Sequence, residues 1–357
     1  MRNLAFEFLR GKIRESDLES VLIGKRTNLR YITGFTGDYG FAAVGSREAL
    51  FFTSSLQFEH ANSTVREPFK VVEVRNDIFK ALADPGVSLW GKRLGYEAET
   101  VTCSDFEKIK AAFKGIDLIS TSGMVEEIRT IKKPSEIRSI IRAQRITEEV
   151  FVELLGFMKE GVKERDLACE IDYRLRKHGG ELSAFDTIVA FGENTSKPHA
   201  LPSQRKLKAG DIVLFDMGTI IDGYASDMTR TVVFGRADSK IKKLYAAVLE
   251  AQEAALSGIK AGIKCSEADS LARNVIDRAG YGDLFIHFLG HGVGLDVHEI
   301  PSLSRRSNHR LKHNMVVTVE PGVYLPGWGG IRIEDMVVVD DNGCDNLTGA
   351  DKALIEL

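Results

Sequence analysis

One order of segments occurs twice in the second part of this chain, and it limits the folds open to it. A helix, Gly161-Val162-Lys163, a second helix ending at Gly179 and a hairpin bearing Asp216 come first. Another helix, Gly262-Ile263-Lys264, a helix ending at Gly280 and a hairpin bearing Glu320 follow. Leu207-Lys208 and Leu311-Lys312 precede the two hairpins at matching places. Such a repeat implies two similar helix-helix-hairpin halves packed face to face, with acidic residues supplied from equivalent strands. The expected fold class is α+β.

Each hairpin carries two carboxylates among Val, Ile, Leu and Phe, unlike a solvated charge run. The first has strands over 211–216 and 224–234. With Asp222-Gly223 as the turn, a strong turn former, Asp216 faces Thr229 and Asp227 points from the same face one pair away. The second has strands over 315–320 and 331–339, joined by the segment 324–330. It carries Glu320 and Glu334, and His291 lies between the two hairpins. Taken singly, Asp227 reads as a turn-flanking carboxylate and Glu334-Asp335 as an exposed acidic pair. Converged in a dry pocket, the four carboxylates repel, and divalent cations are what would neutralise them. The repeat favours convergence. So does the run H-F-L-G-H-G-V-G-L from His287, whose glycines are expected to let backbone approach whatever the imidazole binds.

The remaining features set outer bounds. A chain of 357 residues can bury a sizeable core in one large domain or two. A formal charge of -3 gives no electrostatic case for nucleic acid. Cys103, Cys169, Cys265 and Cys344 lack the spacing of a thiolate site or a disulfide framework, which fits a reducing, cytoplasmic setting. The run M-R-N-L-A-F-E-F-L-R is too short and too charged for a signal peptide, and no apolar stretch would span a membrane.

Up to about residue 122, short apolar runs (Val21–Ile23, Phe41–Val44, Leu50–Phe52, Val71–Val74) alternate with helical stretches such as Ser104–Phe113, the pattern of a small α/β domain. Tyr31–Asp38 reads as a glycine-broken loop, and no phosphate-binding fingerprint is present. A joint near Thr121-Ser122-Gly123 divides the chain into an N-terminal domain, 1–122, and a second domain, 123–357. Beyond it, Pro134-Ser135-Glu136 opens a long helix with an apolar stripe, expected to end before Gly161. A further helix is expected over 240–256, and Ser266-Glu267-Ala268-Asp269 reads as a capping box opening another.

Asp216 with Asp227, the run H-G-V-G from His291, His298-Glu299-Ile300-Pro301, Glu320-Pro321-Gly322-Val323-Tyr324 and Arg332-Ile333-Glu334-Asp335 occur in that order. Together they closely resemble the Xaa-Pro peptidases of the pita-bread metallopeptidase family, prolidase and aminopeptidase P. Tyr31-Ile32-Thr33-Gly34-Phe35 resembles that family's first domain. The resemblance implies a small α/β domain of the creatinase N-terminal, ribonuclease-H-like type, then a pseudo-symmetric pita-bread domain, commonly in a homodimer. It implies two divalent metals: Asp216 on one, His291 and Glu320 on the other, Asp227 and Glu334 bridging. Oxygen donors with one imidazole suit Mn, Co, Zn or Fe without choosing among them, Mn or Co being the first expectation. The implied reaction is hydrolysis of the bond preceding proline, with Glu320 shuttling the proton.

His199, in the run S-K-P-H-A-L-P, is a loop histidine that ordinary surface duty would explain; the resemblance makes it and His298 contacts of the substrate. His287 reads as structural. Arg332 shares a strand face with Glu334 and suits a carboxylate-orienting role or a plain salt bridge. Tyr224 and Tyr324 flank the hairpin turns and either line a pocket or simply pack. Arg305, Arg306 and Arg332 are available to hold a substrate carboxylate. The compact layout favours an Xaa-Pro dipeptidase over an aminopeptidase P acting on longer peptides. A noncatalytic binding module on the same fold should have lost a ligand or a histidine, and none is missing. Asn314-Met315 stands where relatives often have Gly-Met, and asparagine tolerates a left-handed backbone.

Overall fold

The computed structural model describes residues 4–46, 48–84, 87 and 89–357, and the chain divides into two compact units, 1–129 and 130–357. In the first unit the elements are α1 (Leu4–Glu15), β1 (Ser20–Ile23), α2 (Arg26–Thr33), β2 (Phe41–Gly45), β3 (Ala49–Ser54), α3 (Ser55–Thr64), β4 (Lys70–Val74), α4 (Ile78–Leu82), β5 (Arg93–Glu97), α5 (Cys103–Ala112), β6 (Asp117–Thr121) and α6 (Met124–Arg129). The strands form one mixed sheet in the order β4-β3-β2-β1-β5-β6. All four apolar runs become strands because they fill two buried layers. Val21, Ile23, Ala42, Val44 and Phe51 pack with α1 and α2, while Leu22, Ala43 and Phe52 pack with α4 and α5.

Three details depart from expectation. Tyr31–Thr33 is the last turn of α2, and only Gly34 leaves the helix, with φ 83° and its N–H on the Arg30 carbonyl. Strand β5, Arg-Leu-Gly-Tyr-Glu, lies outside the expected apolar runs and passes unbroken through Gly95, where a Cβ would meet Leu18 at 2.8 Å. The break at 121–123 lies before α6. That helix adds Met124 and Val125 to the core of α1 and α2, and Arg129 donates to Asn28 Oδ1 at 2.7 Å, so the division falls seven residues later than expected.

The second unit comprises α7 (Pro134–Leu155), α8 (Glu164–Lys177), β7 (Ile188–Phe191), β8 (Ile212–Met217), β9 (Ile220–Ile221), β10 (Tyr224–Ala225), β11 (Met228–Val233), α9 (Ser239–Gly258), α10 (Cys265–Arg278), β12 (Gly290–Gly292), β13 (Glu299–Leu303), β14 (Val316–Val319), β15 (Gly322–Leu325), β16 (Gly329–Arg332), β17 (Asp335–Val339) and β18 (Cys344–Asn346). Helices α7 and α8 cover β7, β8 and β11; α9 and α10 cover the sheet β13-β12-β14-β17-β18.

The repeat is visible in the backbone. Gly161 N–H donates to the Leu207 carbonyl (2.9 Å) and Leu207 N–H to Val162 (2.8 Å); Gly262 and Leu311, then Leu311 and Ile263, do the same at 2.8 and 2.9 Å. Both glycines have positive φ, 85° and 91°, where a side chain would be strained. Leu207 and Leu311 are each buried beside these bridges, a burial worth about 1.5–3 kcal/mol apiece. Helix α7 ends at Leu155, short of Gly161. The cap of α10 is two residues earlier than expected from Ser266: Glu267 accepts from the N–H of Lys264, the N-cap, at 3.0 Å. No described helix is long and apolar enough to cross a membrane, and all four cysteines are free.

Candidate metal centre

The first hairpin turns at Asp222 (φ 52°) and Gly223 (φ 81°), the positive pair that a two-residue type I′ turn demands. This sets the register, and Asp216 pairs with Thr229. Between β8 and β9 the ladder is interrupted, because Gly218 crosses so close to Ser226 that a Cβ would lie 2.0 Å from its carbonyl oxygen. Asp227 sits at this interruption.

The second hairpin keeps one register through two sheets: Val319 pairs with Asp335, and Gly322 with Arg332. Glu320 and Glu334 fall in the gap. Pro321 has no N–H to give the ladder, and the flanking amides turn elsewhere, Glu320 N–H to Leu289 (2.8 Å) and Glu334 N–H to Thr229 of the first hairpin (3.2 Å). The turn itself is tighter than expected, since Tyr324 and Leu325 lie in β15 and Gly329 and Gly330 in β16.

His291 lies on β12 with its N–H on Thr318 Oγ1 (3.0 Å) and its Nδ1 against the Gly292 carbonyl (3.1 Å). A carbonyl only accepts, so Nδ1 carries a proton, and Nε2 is turned toward Glu320 (3.3 Å) and Asp227 (3.7 Å). The neighbouring glycines serve the sheet. A Cβ on Gly290 would be 2.0 Å from the Thr318 carbonyl and one on Gly292 2.5 Å from that of Ile300, so the expectation that they make room for a ligand is replaced by strand crowding.

Asp227, His291 and Glu334 each offer a donor atom within 4.8 Å of the others, a candidate metal-binding triad. Asp216 and Glu320 line the same cavity, of about 410 Å³. Asp216 Oδ2 accepts from Arg332 Nη2 at 2.6 Å, and its Oδ1 is buried without a hydrogen-bond partner among the described residues. Burial holds Asp227 and Glu334 well above the usual carboxylate range, and the neighbouring carboxylates push them further. Burial also raises Asp216, against the pull of Arg332. For Glu320, burial is outweighed by the hydrogen bond and charge of His291, which bring it to about 2. His291 is raised in turn, because its bond to Glu320 overcomes its burial. An orphaned oxygen, crowded carboxylates and one imidazole nitrogen presented to them are the donor set of divalent cations, and the residues fit such ions.

His199 and His298 are exposed and line the cavity, and the His298 ring centroid is 4.2 Å from that of His291. Arg332 is buried and reaches Glu334 only indirectly. Its Nε donates to Thr229 Oγ1 (2.9 Å), which donates to Glu334 Oε2 (2.7 Å); Nη1 reaches the Tyr324 hydroxyl (2.8 Å) and the Pro198 carbonyl (3.3 Å). The salt bridge expected with Glu334 is therefore made with Asp216. Tyr324 OH in turn meets His287 Nε2 at 2.9 Å, and His287 lines the cavity instead of serving only the scaffold. Tyr224 packs against the buried cluster of Ile140, Ala225, Val293, Val316 and Met336 and is not among the cavity-lining residues. Thr229 and His287 are the members the sequence does not assign to the site, although it places Thr229 opposite Asp216; Tyr324, which the sequence leaves between lining a pocket and packing, belongs to it. A separate exposed cluster brings His313 within 3.0 and 3.6 Å of Asp340 and Asp341.

The chain belongs to Metallopeptidase family M24, which matches residues 138–341, while residues 7–131 match the Creatinase/Prolidase N-terminal domain. It is 39% identical over 354 residues to an uncharacterised peptidase, YqhT, of Bacillus subtilis, covering 99% of this chain and all of that one. It is 35% identical to the Xaa-Pro dipeptidase of Pyrococcus furiosus over 96% of each chain. Among solved structures, an Xaa-Pro dipeptidase from Bacillus anthracis superposes with a TM-score of 0.96 at 38% identity, covering 99% of both chains. An X-Pro aminopeptidase from Thermotoga maritima gives 0.89 at 36% identity, over 96% of this chain and 98% of that one.

Proposed function

We propose that the chain is a metal-dependent peptidase that hydrolyses the bond preceding proline, with Xaa-Pro dipeptides as its main substrates. The observation that carries this reading is the cavity itself: two carboxylates from each hairpin and His291 meet around it, with His199 and His298 exposed on its wall. Asp216, Asp227, His291, Glu320 and Glu334 would hold the two cations. When bound, two divalent cations neutralise the carboxylates and supply Lewis acidity toward a water and the scissile carbonyl. Glu320 accepts the water proton as oxygen adds to the carbonyl carbon, and returns it to the proline nitrogen as the C–N bond breaks. His298 and His199 donate to the carbonyl oxygen as charge develops there. Arg332 fixes Asp216 directly and Glu334 through Thr229, so it acts as a positioning residue. These contacts also commit its guanidinium and leave it unsuited to anchor a substrate carboxylate.

Metal-stripped protein reconstituted separately with Mn, Co, Zn and Fe tests the reading against an Xaa-Pro dipeptide, an Xaa-Pro-Yaa tripeptide and a proline-free dipeptide. Cleavage of the proline dipeptide above the proline-free one supports it. Cleavage mainly of the tripeptide moves the assignment to an aminopeptidase P. Inactivity on both proline peptides with every metal refutes it and favours a noncatalytic binding role.

A further inference from the structure

His199 stands exposed on the cavity wall, in a segment between β7 and β8 that has little regular structure. A short 3-10 helix, Gly192–Ser196, leaves β7, and the chain then runs through Pro198 to Ser203. Glu164, at the start of α8, closes both ends of that segment. Its Oε1 accepts from the Phe191 N–H (2.7 Å) and from Asn194 Nδ2 (3.0 Å). Its Oε2 accepts from the Ser203 N–H (2.9 Å) and from Ser203 Oγ (2.5 Å). Between these ends, Gly330 N–H donates to Thr195 Oγ1 at 2.7 Å and Arg332 Nη1 reaches the Pro198 carbonyl. Ala200 is buried in a cluster with Ile188, Ala190 and Leu214. His199 thus lies between two held neighbours.

The repeat shows that the fold does not require this acid. Lys163 bridges Lys206 in the first half, and Lys264 bridges Arg310 in the second. The next residue's N–H then donates to the Arg205 carbonyl (3.2 Å) in one half and to the His309 carbonyl (2.8 Å) in the other. That next residue is Glu164 in the first and Cys265 in the second, and both are fully buried. The same clasp and helix start therefore form around a thiol. A carboxylate is costlier to bury than a thiol unless donors meet it. Here all four donors come from 191–203, the segment that carries His199.

We propose that Glu164 is a positioning residue for His199: it fixes both ends of the 191–203 segment, so that the imidazole is presented to the substrate carbonyl in one place. The inference rests on the substrate role given to His199 above. A loose segment would spread the ring over many placements, and a displacement of about 1 Å at a catalytic group can cost about 10²-fold in rate.

Two variants test it. Ser203→Ala removes one of the four bonds and leaves the carboxylate, while Glu164→Gln keeps the shape and turns one acceptor oxygen into a donor. Each is made in the wild type and in His199→Ala, loaded with metal and assayed on an Xaa-Pro dipeptide. Ser203→Ala should lower kcat/KM by about three- to tenfold, and Glu164→Gln by about ten- to 100-fold. In His199→Ala both losses should shrink below about twofold, because an absent ring has no placement to lose. Metal content, read by elemental analysis, should not change. In metal-free protein, hydrogen exchange should quicken at 192–203 in both variants and stay as it was in β8 and β11. Equal losses in the two backgrounds overturn the proposal, as does exchange unchanged at 192–203. So does an unaltered kcat/KM in both variants, or a loss of bound metal, which would assign Glu164 to the metal centre. Should Glu164→Gln fail to fold, the milder Ser203→Ala decides by the same criteria. A wild type inactive on all proline peptides, or His199→Ala as active as the wild type, refutes the parent reading, a result distinct from these, and removes the proposal with it.

Discussion

Asp227 and Glu334 are the carboxylates whose ionisation the fold opposes most, and this sets how the metal-stripped protein responds to pH. Each has a folded pKa above its unfolded value near 4. Their contribution to stability is therefore complete below about pH 4 and is lost as pH rises through the raised values. Raised His291 acts in the same sense above about pH 6.5. Glu320 runs the other way, its contribution present above about pH 4 and lost as pH falls toward 2. Calorimetry in chelator should show Tm falling between about pH 5 and pH 8, with added divalent cation restoring most at the upper end. A flat profile would contradict this. By the same logic, Asp227→Asn should raise the chelated protein's Tm at pH 8, by about 2–4 °C for each kcal/mol relieved, while abolishing the response to metal. His298→Ala should lower kcat/KM by about 10²-fold with metal content, read by elemental analysis, unchanged.

At the scale of elements, the two hairpins are joined by a buried ion pair. Arg230 Nη2 meets Asp335 Oδ1 at 2.8 Å, with both side chains essentially inaccessible, and further guanidinium bonds hold the Ala350 and Asp351 carbonyls. Arg230→Met leaves Asp335 buried with only Lys352, Gln252 and Asn346, and should cost about 3–5 kcal/mol in urea unfolding. A loss below about 1 kcal/mol would show the pair to be dispensable. What the sequence disclosed follows from range. Asp222-Gly223 announces its own turn, and from the turn the pairing of Asp216 with Thr229 is counted residue by residue. The repeat at Gly161 and Gly262 is likewise local. The bond from Arg332 to Asp216 spans 116 residues, and no spacing rule connects them. Two-residue strand logic aimed Arg332 at Glu334, and the structure interposes Thr229. Tyr224 and Tyr324 looked equivalent beside their turns; only β15 meeting β16 brings the second to the site.

For the whole molecule, the candidate metal ligands and every hydrogen bond described around them lie within 130–357, and each unit has apolar clusters drawn from its own residues. A fragment comprising 130–357 should therefore fold and bind divalent cation. At a cation concentration 100 times Kd it should gain about 2.7 kcal/mol, about 5–10 °C in Tm. Absence of any such shift would show that the first unit is needed to form the site.

The repeated half has a consequence for how the catalytic unit is assembled. Each repeat brings its own helices, its own backbone clasp and one hairpin, and that hairpin supplies only two of the four acids. The unit is a dimer written as one polypeptide, with the segment 234–238 as its tether. Neither repeat alone carries the full candidate ligand set. Severed within that tether, two separately made pieces should remain inert until mixed, and the cation would then become the cement between them.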